Sequence, residues 1–357
     1  MHRAARSWPG ILLLVLLACT SSPPTREVPP AQAAAVPPAQ VPASSGAASA
    51  AEAAPALRKI DFVTSTLSAS GTPLWLGVDQ GIFRGYGLDV TVQALSPAAA
   101  TPAIQGGSAP FGATAGVTIA AFAGGATELV FIGGVSNKIL AQLYAQPEVR
   151  SVGDLRGRAV GSTSPGATLS LTLIEALRRY GLDSNQDVSI LYLREQPGVL
   201  AGLIGGQAGG GLLAMPFSRQ ARNQGYRLLF DTADLDIDML GQAITTTRDL
   251  LEREPDLARR FLMGYVDAIQ FGRQHRAPTV EAIMRLGDSD DREIAEEAYT
   301  TYRASWSPWV LASAIQPVLD NSDVPAARVL RAEQLIDDSI LRELERSGWL
   351  AEHLTSP

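Results

Sequence analysis

Three short markers recur in the same order about a hundred residues apart, which commits the chain to a duplicated topology. Val63-Thr64-Ser65-Thr66 and Val160-Gly161-Ser162-Thr163 are each a strand end running into a Ser/Thr loop, 97 residues apart. Tyr86-Gly87-Leu88-Asp89 returns as Tyr180-Gly181-Leu182-Asp183, each closing a helix through glycine and leading, by way of Val90 or Val188, into a strand. Ile104-Gln105-Gly106-Gly107-Ser108-Ala109 returns as Leu203-Ile204-Gly205-Gly206-Gln207-Ala208 at an offset of 99. A common order at a nearly constant offset implies two lobes of one topology.

Around these markers, short apolar runs at Ile60–Thr64, Asp89–Leu95, Leu129–Ile132, Ala159–Ser162, Val188–Leu193 and Leu212–Met215 read as buried strands. Helix-length segments such as Thr168–Tyr180 separate them, so the fold class is α/β with mainly parallel, doubly wound sheets. Gln242–Thr247 is one more strand, after which nearly everything to His353 is helical. Glu254-Pro255-Asp256 opens that region with proline at a first helical position. Leu257, Phe261, Leu262, Tyr265, Val266 and Ile269 follow at helical spacing, so one face of this helix packs inward.

The 357 residues suit two lobes better than one, and 46% hydrophobic against 18% charged residues supply a sizeable core. A net charge of −7 without any basic block leaves counterion-driven binding to nucleic acid nothing to work with. Lys59 and Lys138 are the only lysines, and His2, His275 and His353 the only histidines. Catalytic readings founder on that scarcity. The nearest approach to a nucleophile elbow, Gly161-Ser162-Thr163-Ser164-Pro165-Gly166, has Ser162 where glycine must allow the strained turn. The glycine run from Gly205 to Gly211 precedes its strand, whereas a nucleotide-binding loop follows one. No cofactor and no metal are expected.

Residues 1–19 read as an export signal, with Arg3 and Arg6 ahead of an apolar run from Ile11 to Leu17 that is too short to span a bilayer. It ends in Leu16-Leu17-Ala18-Cys19, which resembles the lipobox of bacterial lipoproteins. Cys19 is then either a lipidated anchor or a small apolar residue closing the signal. It is the only cysteine, so no internal disulfide is available. In residues 20–56, 21 of 37 residues are proline or alanine, and the stretch reads as a semi-rigid tether. These readings place the folded part outside the cytoplasmic membrane.

A family resemblance joins these observations. Pro73-Leu74-Trp75-Leu76-Gly77-Val78-Asp79-Gln80-Gly81-Ile82-Phe83, followed by Tyr86-Gly87-Leu88-Asp89-Val90, resembles the opening of substrate-binding proteins of the nitrate/sulfonate/taurine type, partners of ABC importers. Ser151-Val152-Gly153-Asp154-Leu155-Arg156-Gly157-Arg158 with Val160-Gly161 is similar to the segment with which that family enters its second lobe. The resemblance spans roughly 57–286. It implies a type II periplasmic-binding fold, in which two α/β lobes are joined by a two-segment hinge and ligand biases closure. The crossings are expected near Leu143–Arg150 and Leu240–Ala243. Residues 57–147 then form the first part of lobe 1, 148–240 form lobe 2, and 241–357 return to lobe 1 and carry the extra helices. The implied partners are a small solute and an ABC permease with its ATPase, for a chain acting as a monomer. A sensor or chemoreceptor fed by the same binder stays open.

In such folds the strand-to-helix loops converge on the cleft, where helix N-termini offer free N–H groups. The candidates from lobe 1 are Thr66, Ser68 and Ser70 ahead of the helix carrying Trp75, then Ala113 and Thr114. Lobe 2 offers Thr163, Ser164, Gly166, Ala167 and Thr168, then Met215 and Pro216. Each Ser/Thr loop is open to the alternative of ordinary helix capping, and Trp75 to a place in the core. Asn137 either reaches the cleft or holds a turn, and Asp236 and Asp238 either meet a ligand ammonium or are solvated. No charged residue sits in the four loops, so the expected ligand is neutral or weakly anionic, with nitrate and bicarbonate less favoured.

Overall fold

A computed structural model describes residues 57–64, 68–287 and 290–355. Thr66, Cys19, the export signal and the tether lie outside the described residues. The chain builds β1 (Arg58–Thr64), α1 (Thr72–Asp79), α2 (Ile82–Gly85), β2 (Leu88–Ala94), α3 (Pro97–Gln105), β3 (Phe111–Thr114), α4 (Gly116–Ala123) and β4 (Leu129–Ser136). It then forms β5 (Gln142–Ala145), β6 (Ala159–Ser162), α5 (Thr168–Arg179), β7 (Ser189–Tyr192), α6 (Gln196–Ile204), β8 (Gly210–Leu213), α7 (Phe217–Asn223) and β9 (Arg227–Asp231). After β10 (Gln242–Thr247) come α8 (Arg248–Arg253), α9 (Pro255–Gln274), α10 (Arg276–Leu286), α11 (Arg292–Tyr302), α12 (Ala312–Asp320), α13 (Ser339–Arg346) and α14 (Trp349–His353).

The strands form two five-stranded sheets, ordered β2-β1-β3-β10-β4 and β7-β6-β8-β5-β9. Position by position these orders are the same, which is the duplicated topology anticipated from the markers. β1 pairs in parallel with β2 from Arg58↔Leu88 to Thr64↔Ala94, and β6 pairs in parallel with β7 from Ala159↔Ser189 to Ser162↔Tyr192. The helix-ending glycines of the second marker, Gly87 and Gly181, both take the left-handed conformation, φ +72° and +74°. A side chain there would be strained, which explains why glycine recurs.

Each sheet takes one antiparallel strand, β10 in the first and β5 in the second. Because Gln142–Ala145 pairs with β8 and β9, the first crossing runs through 137–141, ahead of the Leu143–Arg150 stretch expected from the sequence. The second crossing spans 232–241. The two crossings touch: the Met239 amide donates to the Asn137 carbonyl and the Gly241 amide to the Ser136 carbonyl, each at 2.8 Å.

The helices after β10 complete lobe 1. Leu257, Phe261, Leu262, Tyr265, Val266 and Ile269 of α9 are all buried, as their spacing requires. Phe261 stacks on Phe111, Phe83 and Phe62, with ring centroids 4.5, 5.2 and 5.5 Å away. The segment ahead of α12 is stapled to the first crossing. Asn137 Nδ2 donates to the Trp309 carbonyl at 2.7 Å, and the Leu311 amide donates to Asn137 Oδ1 at 3.0 Å. Gly134 permits this approach, since a Cβ there would lie 2.0 Å from the Trp309 carbonyl oxygen. No described helix is long and apolar enough to cross a membrane.

Candidate functional site

A pocket of about 210 Å³ lies where loops of both lobes meet the two crossings. Lobe 1 contributes Ser68, Ser70, Ser136 and Gln242, and lobe 2 contributes Thr168, Leu169, Gln196 and Ala214. Lys138 and Gly241 enter from the crossings and Tyr302 from the end of α11. Helix ends dominate the wall. α5 and α6 begin without a side-chain hydrogen bond to their first-turn amides, and Thr168, Leu169 and Gln196 at these starts line the pocket. Uncapped N–H groups carrying a partial positive charge favour an electronegative guest.

The polar side chains of the wall are engaged with protein partners. Gln242 is buried at the start of β10, its Nε2 donating to Thr64 Oγ1 at 3.1 Å and to the Ala113 carbonyl at 3.4 Å. Ser68 and Ser70 hydroxyls share a 2.7 Å hydrogen bond. Burial, with Asp231 adding its charge, pushes the Tyr302 phenol up to about 12, and its hydroxyl donates to the Leu140 carbonyl at 3.5 Å. Lys138 pairs with Asp236 of the second crossing, and that ammonium, by hydrogen bond and charge, holds the Asp236 carboxyl below the usual range.

Of the residues singled out from the sequence, Ser68, Ser70 and Thr168 meet in this pocket. Met215 and Pro216 line an adjoining chamber of about 380 Å³ against α10 and α11. The others are engaged elsewhere. Ala113 is a sheet residue with no exposed surface, and the Thr114 hydroxyl is held at 2.6 Å by both Thr118 and Thr245. The Asn137 side-chain amide bonds the Trp309 carbonyl and the Leu311 amide. Thr163 bonds back to Ser170 at 3.4 Å, and Ser164 donates to the Arg194 carbonyl at 3.3 Å. Gly166 is exposed, with the nearest side-chain atom to its would-be Cβ belonging to Asp323. Ala167 is the N-cap of α5, and Trp75 lies half-buried on α1; neither lines the pocket or the chamber. Asp238 accepts from Ser313 at 2.5 Å.

Gln242, Gln196, Tyr302 and Lys138 are site residues that sequence reasoning passed over. The first two sit at a strand start and a helix start outside any Ser/Thr loop, and Lys138 lies in a crossing placed too late. The candidate pocket thus includes one cation, where the sequence leads to an expectation of neutral groups alone. Among the described residues no cluster of histidine, cysteine or carboxylates suits a metal ion.

Comparison with known proteins agrees with this fold. The chain matches solved structures of the sulfonate-binding SsuA-type protein from Methylobacillus flagellatus KT (TM-score 0.67, 15% identity, 85% of this chain and 98% of that one). It also matches the aliphatic sulphonate-binding protein SsuA from Escherichia coli (TM-score 0.57, 19% identity, 85% and 93%). A third match is the nitrate-binding protein NrtA from Synechocystis PCC 6803 (TM-score 0.58, 14% identity, 84% and 91%). At these identities the likeness is one of fold, and it bears out the resemblance to ABC substrate-binding proteins and the type II architecture. No curated protein sequence matches the chain. The model of the NMT1/THI5-like family matches residues 68–277, more than half the chain, and the protein belongs to that family.

Proposed function

We propose that this protein is a lipid-anchored, extracytoplasmic solute-binding component of an ABC importer, which captures a small polar solute by closure of two lobes and hands it to a permease. One observation carries the reading: a pocket of about 210 Å³ is walled jointly by both lobes and both crossings, so its volume changes if the lobes swing. A guest touching both walls stabilises the closed arrangement by its differential affinity for it. Uncapped helix starts, hydroxyls, two amides and Lys138 suit a solute with an electronegative group. The protein acts as a binder and returns its guest chemically unchanged, with Cys19 as the anchor.

The test is mass spectrometry of small molecules that co-purify with the full chain, followed by release and titration back. Recovery of one intact compound that rebinds stoichiometrically supports the reading, and turnover of that compound refutes it. Cys19→Ala should release the protein from membranes; retention removes the anchor.

A further inference from the structure

Helix α5 reaches two separate spaces. Its first residues, Thr168 and Leu169, line the candidate pocket, whereas Ile174, Glu175 and Arg179 line a second cavity of about 340 Å³. Among the described residues the two spaces share no lining residue. At ~1.5 Å per residue, Arg179 lies ~16 Å along the helix from Thr168. Lobe 1 walls the cavity with Ser313, Pro317 and Asn321, and the second crossing adds 236–239. Two cores hold α5. Leu169, Leu173 and Leu177 are buried in the core of lobe 2, so the helix moves with that lobe as a rigid rod. Leu171 is buried instead with Met239, Leu240, Ala314 and Ile315, in a cluster built chiefly from lobe 1.

The second crossing shows where the lobes turn. From residue 238 on it is fixed to lobe 1, since Asp238 accepts from Ser313 at 2.5 Å and the Leu240 amide donates to the Ala314 carbonyl at 2.9 Å. At residue 235 it is fixed to lobe 2, because the Arg179 guanidinium donates to the Leu235 carbonyl. Asp236 lies between these anchors in the left-handed conformation, φ +46°, and pairs with Lys138 of the first crossing. We infer that α5 is a lever with Leu171 as its fulcrum. As the lobes close, its first turn tips into the candidate pocket, and its far half swings away from α12 and widens the 340 Å³ cavity. As they open, the cavity narrows. Anything that fills the cavity therefore resists opening, because packed side chains behave as hard bodies. This rests on the capture by closure proposed above and deepens it by naming a positioning residue, Leu171, which does not line the candidate pocket.

The experiment measures lobe separation in the full chain with no solute added, from spin labels at Thr91→Cys and Tyr192→Cys in a Cys19→Ser background. Asn321→Trp fills the cavity from an exposed position of lobe 1, and Ile174→Trp fills it from a half-buried position of lobe 2. Seating an indole against the cavity wall should raise the closed-to-open ratio roughly ten-fold, read as growth of the shorter-distance population. Ile174→Ala clears room and should lengthen the mean distance. Asp320→Trp, on α12 but outside the cavity wall, should leave it unchanged. Leu171→Ala removes the fulcrum, so in the double variant with Asn321→Trp the shift should fall below about two-fold. An unchanged or longer distance in either filling variant overturns the lever, as does an equal shift from Asp320→Trp. A full shift retained without Leu171 overturns its role as the fulcrum. Each of these results leaves solute capture standing, since no solute takes part, and recovery of a co-purifying compound tests capture separately.

Discussion

The lobes are tied together by ion pairs between α7 of lobe 2 and α11, and breaking them at Glu297 should weaken ligand binding without touching the pocket. Glu297 takes a two-pronged contact from Arg222, Nη1 to Oε1 at 2.8 Å and Nη2 to Oε2 at 2.6 Å, while Arg219 approaches Oε2 at 3.6 Å and pairs with Glu293. Fully desolvated bonds of this kind contribute about 1.5–3 kcal/mol each and fully exposed pairs about 0–1. Arg219 is 13% exposed, Glu297 26% and Arg222 47%, so the set lies between those limits, and Glu297→Gln should cost about 1–2 kcal/mol. α11 packs on α10 and on the Ala69–Gly71 turn of lobe 1, so the loss falls on the arrangement in which the lobes touch. The closed population, and the apparent affinity with it, should drop by roughly 5–30-fold.

Two readouts check this. Spin labels at Thr91→Cys and Tyr192→Cys, on the outer strands β2 and β7, report lobe separation in a Cys19→Ser background. Calorimetry with the co-purifying solute reports affinity. Glu297→Gln should lengthen the mean label distance and raise Kd, and Arg222→Gln should add little to the double variant because both remove one interaction. Raising the salt should move wild type toward the variant. Unchanged distance and Kd in Glu297→Gln would refute the reasoning, since the ion pairs would then contribute equally to open and closed forms.

Three further outcomes follow from the packing and the crossings. Phe261→Ala removes the ring on which Phe62, Phe83 and Phe111 converge and should cost about 3–5 kcal/mol, seen as a fall in Tm of roughly 10 °C by calorimetry; a shift under a quarter of that would deny the cluster its central place. Gly134→Ala drives a methyl onto the Trp309 carbonyl and should expose 303–312 to limited proteolysis, whereas wild-type protection would mean the segment tolerates the shift. The Asp236 carboxyl is held below its ordinary value by Lys138, so the pair's contribution is present above that value and is lost as pH falls through the lowered one. Denaturation of wild type and Lys138→Met should therefore differ by a constant, small amount from about pH 5 to 8 and converge only below 3.8; a difference that widens on acidification contradicts the pairing.

The α/β plan was legible because it is written in local signals. Val63, Val160, Gly87, Gly181, Gly107 and Gly206 mark equivalent corners, and β6 and β10 fall at the boundaries read from the sequence. β5 was illegible. Gln142-Leu143-Tyr144-Ala145 is four residues long and reads as a passage between lobes, and only its pairing with β8 and β9 makes it a strand. β9, Arg227-Leu228-Leu229-Phe230-Asp231, is framed by charges and hidden for the same reason. The site was half legible. Loops rich in hydroxyls pointed to Ser68, Ser70 and Thr168 of the candidate pocket, but Thr114 and Thr163 spend their hydroxyls on neighbours. Which hydroxyl is consumed locally is a matter of rotamer and register, and neither is encoded in spacing.

The placement of β5 and β10 has a consequence for how the polypeptide matures. All five strands of the second sheet lie within one continuous stretch, 142–231, whereas the first sheet needs β10 inserted between β3 and β4, which arrives more than a hundred residues after β4 is made. Emerging from the ribosome, the N-terminal half has a gap in its sheet that nothing nearby can fill, and the later half is self-sufficient. Assembly should therefore run backwards relative to synthesis, with the younger lobe folding first and β10, made after it, closing the older one. A chain halted at residue 240 would carry one finished sheet and one that stays open.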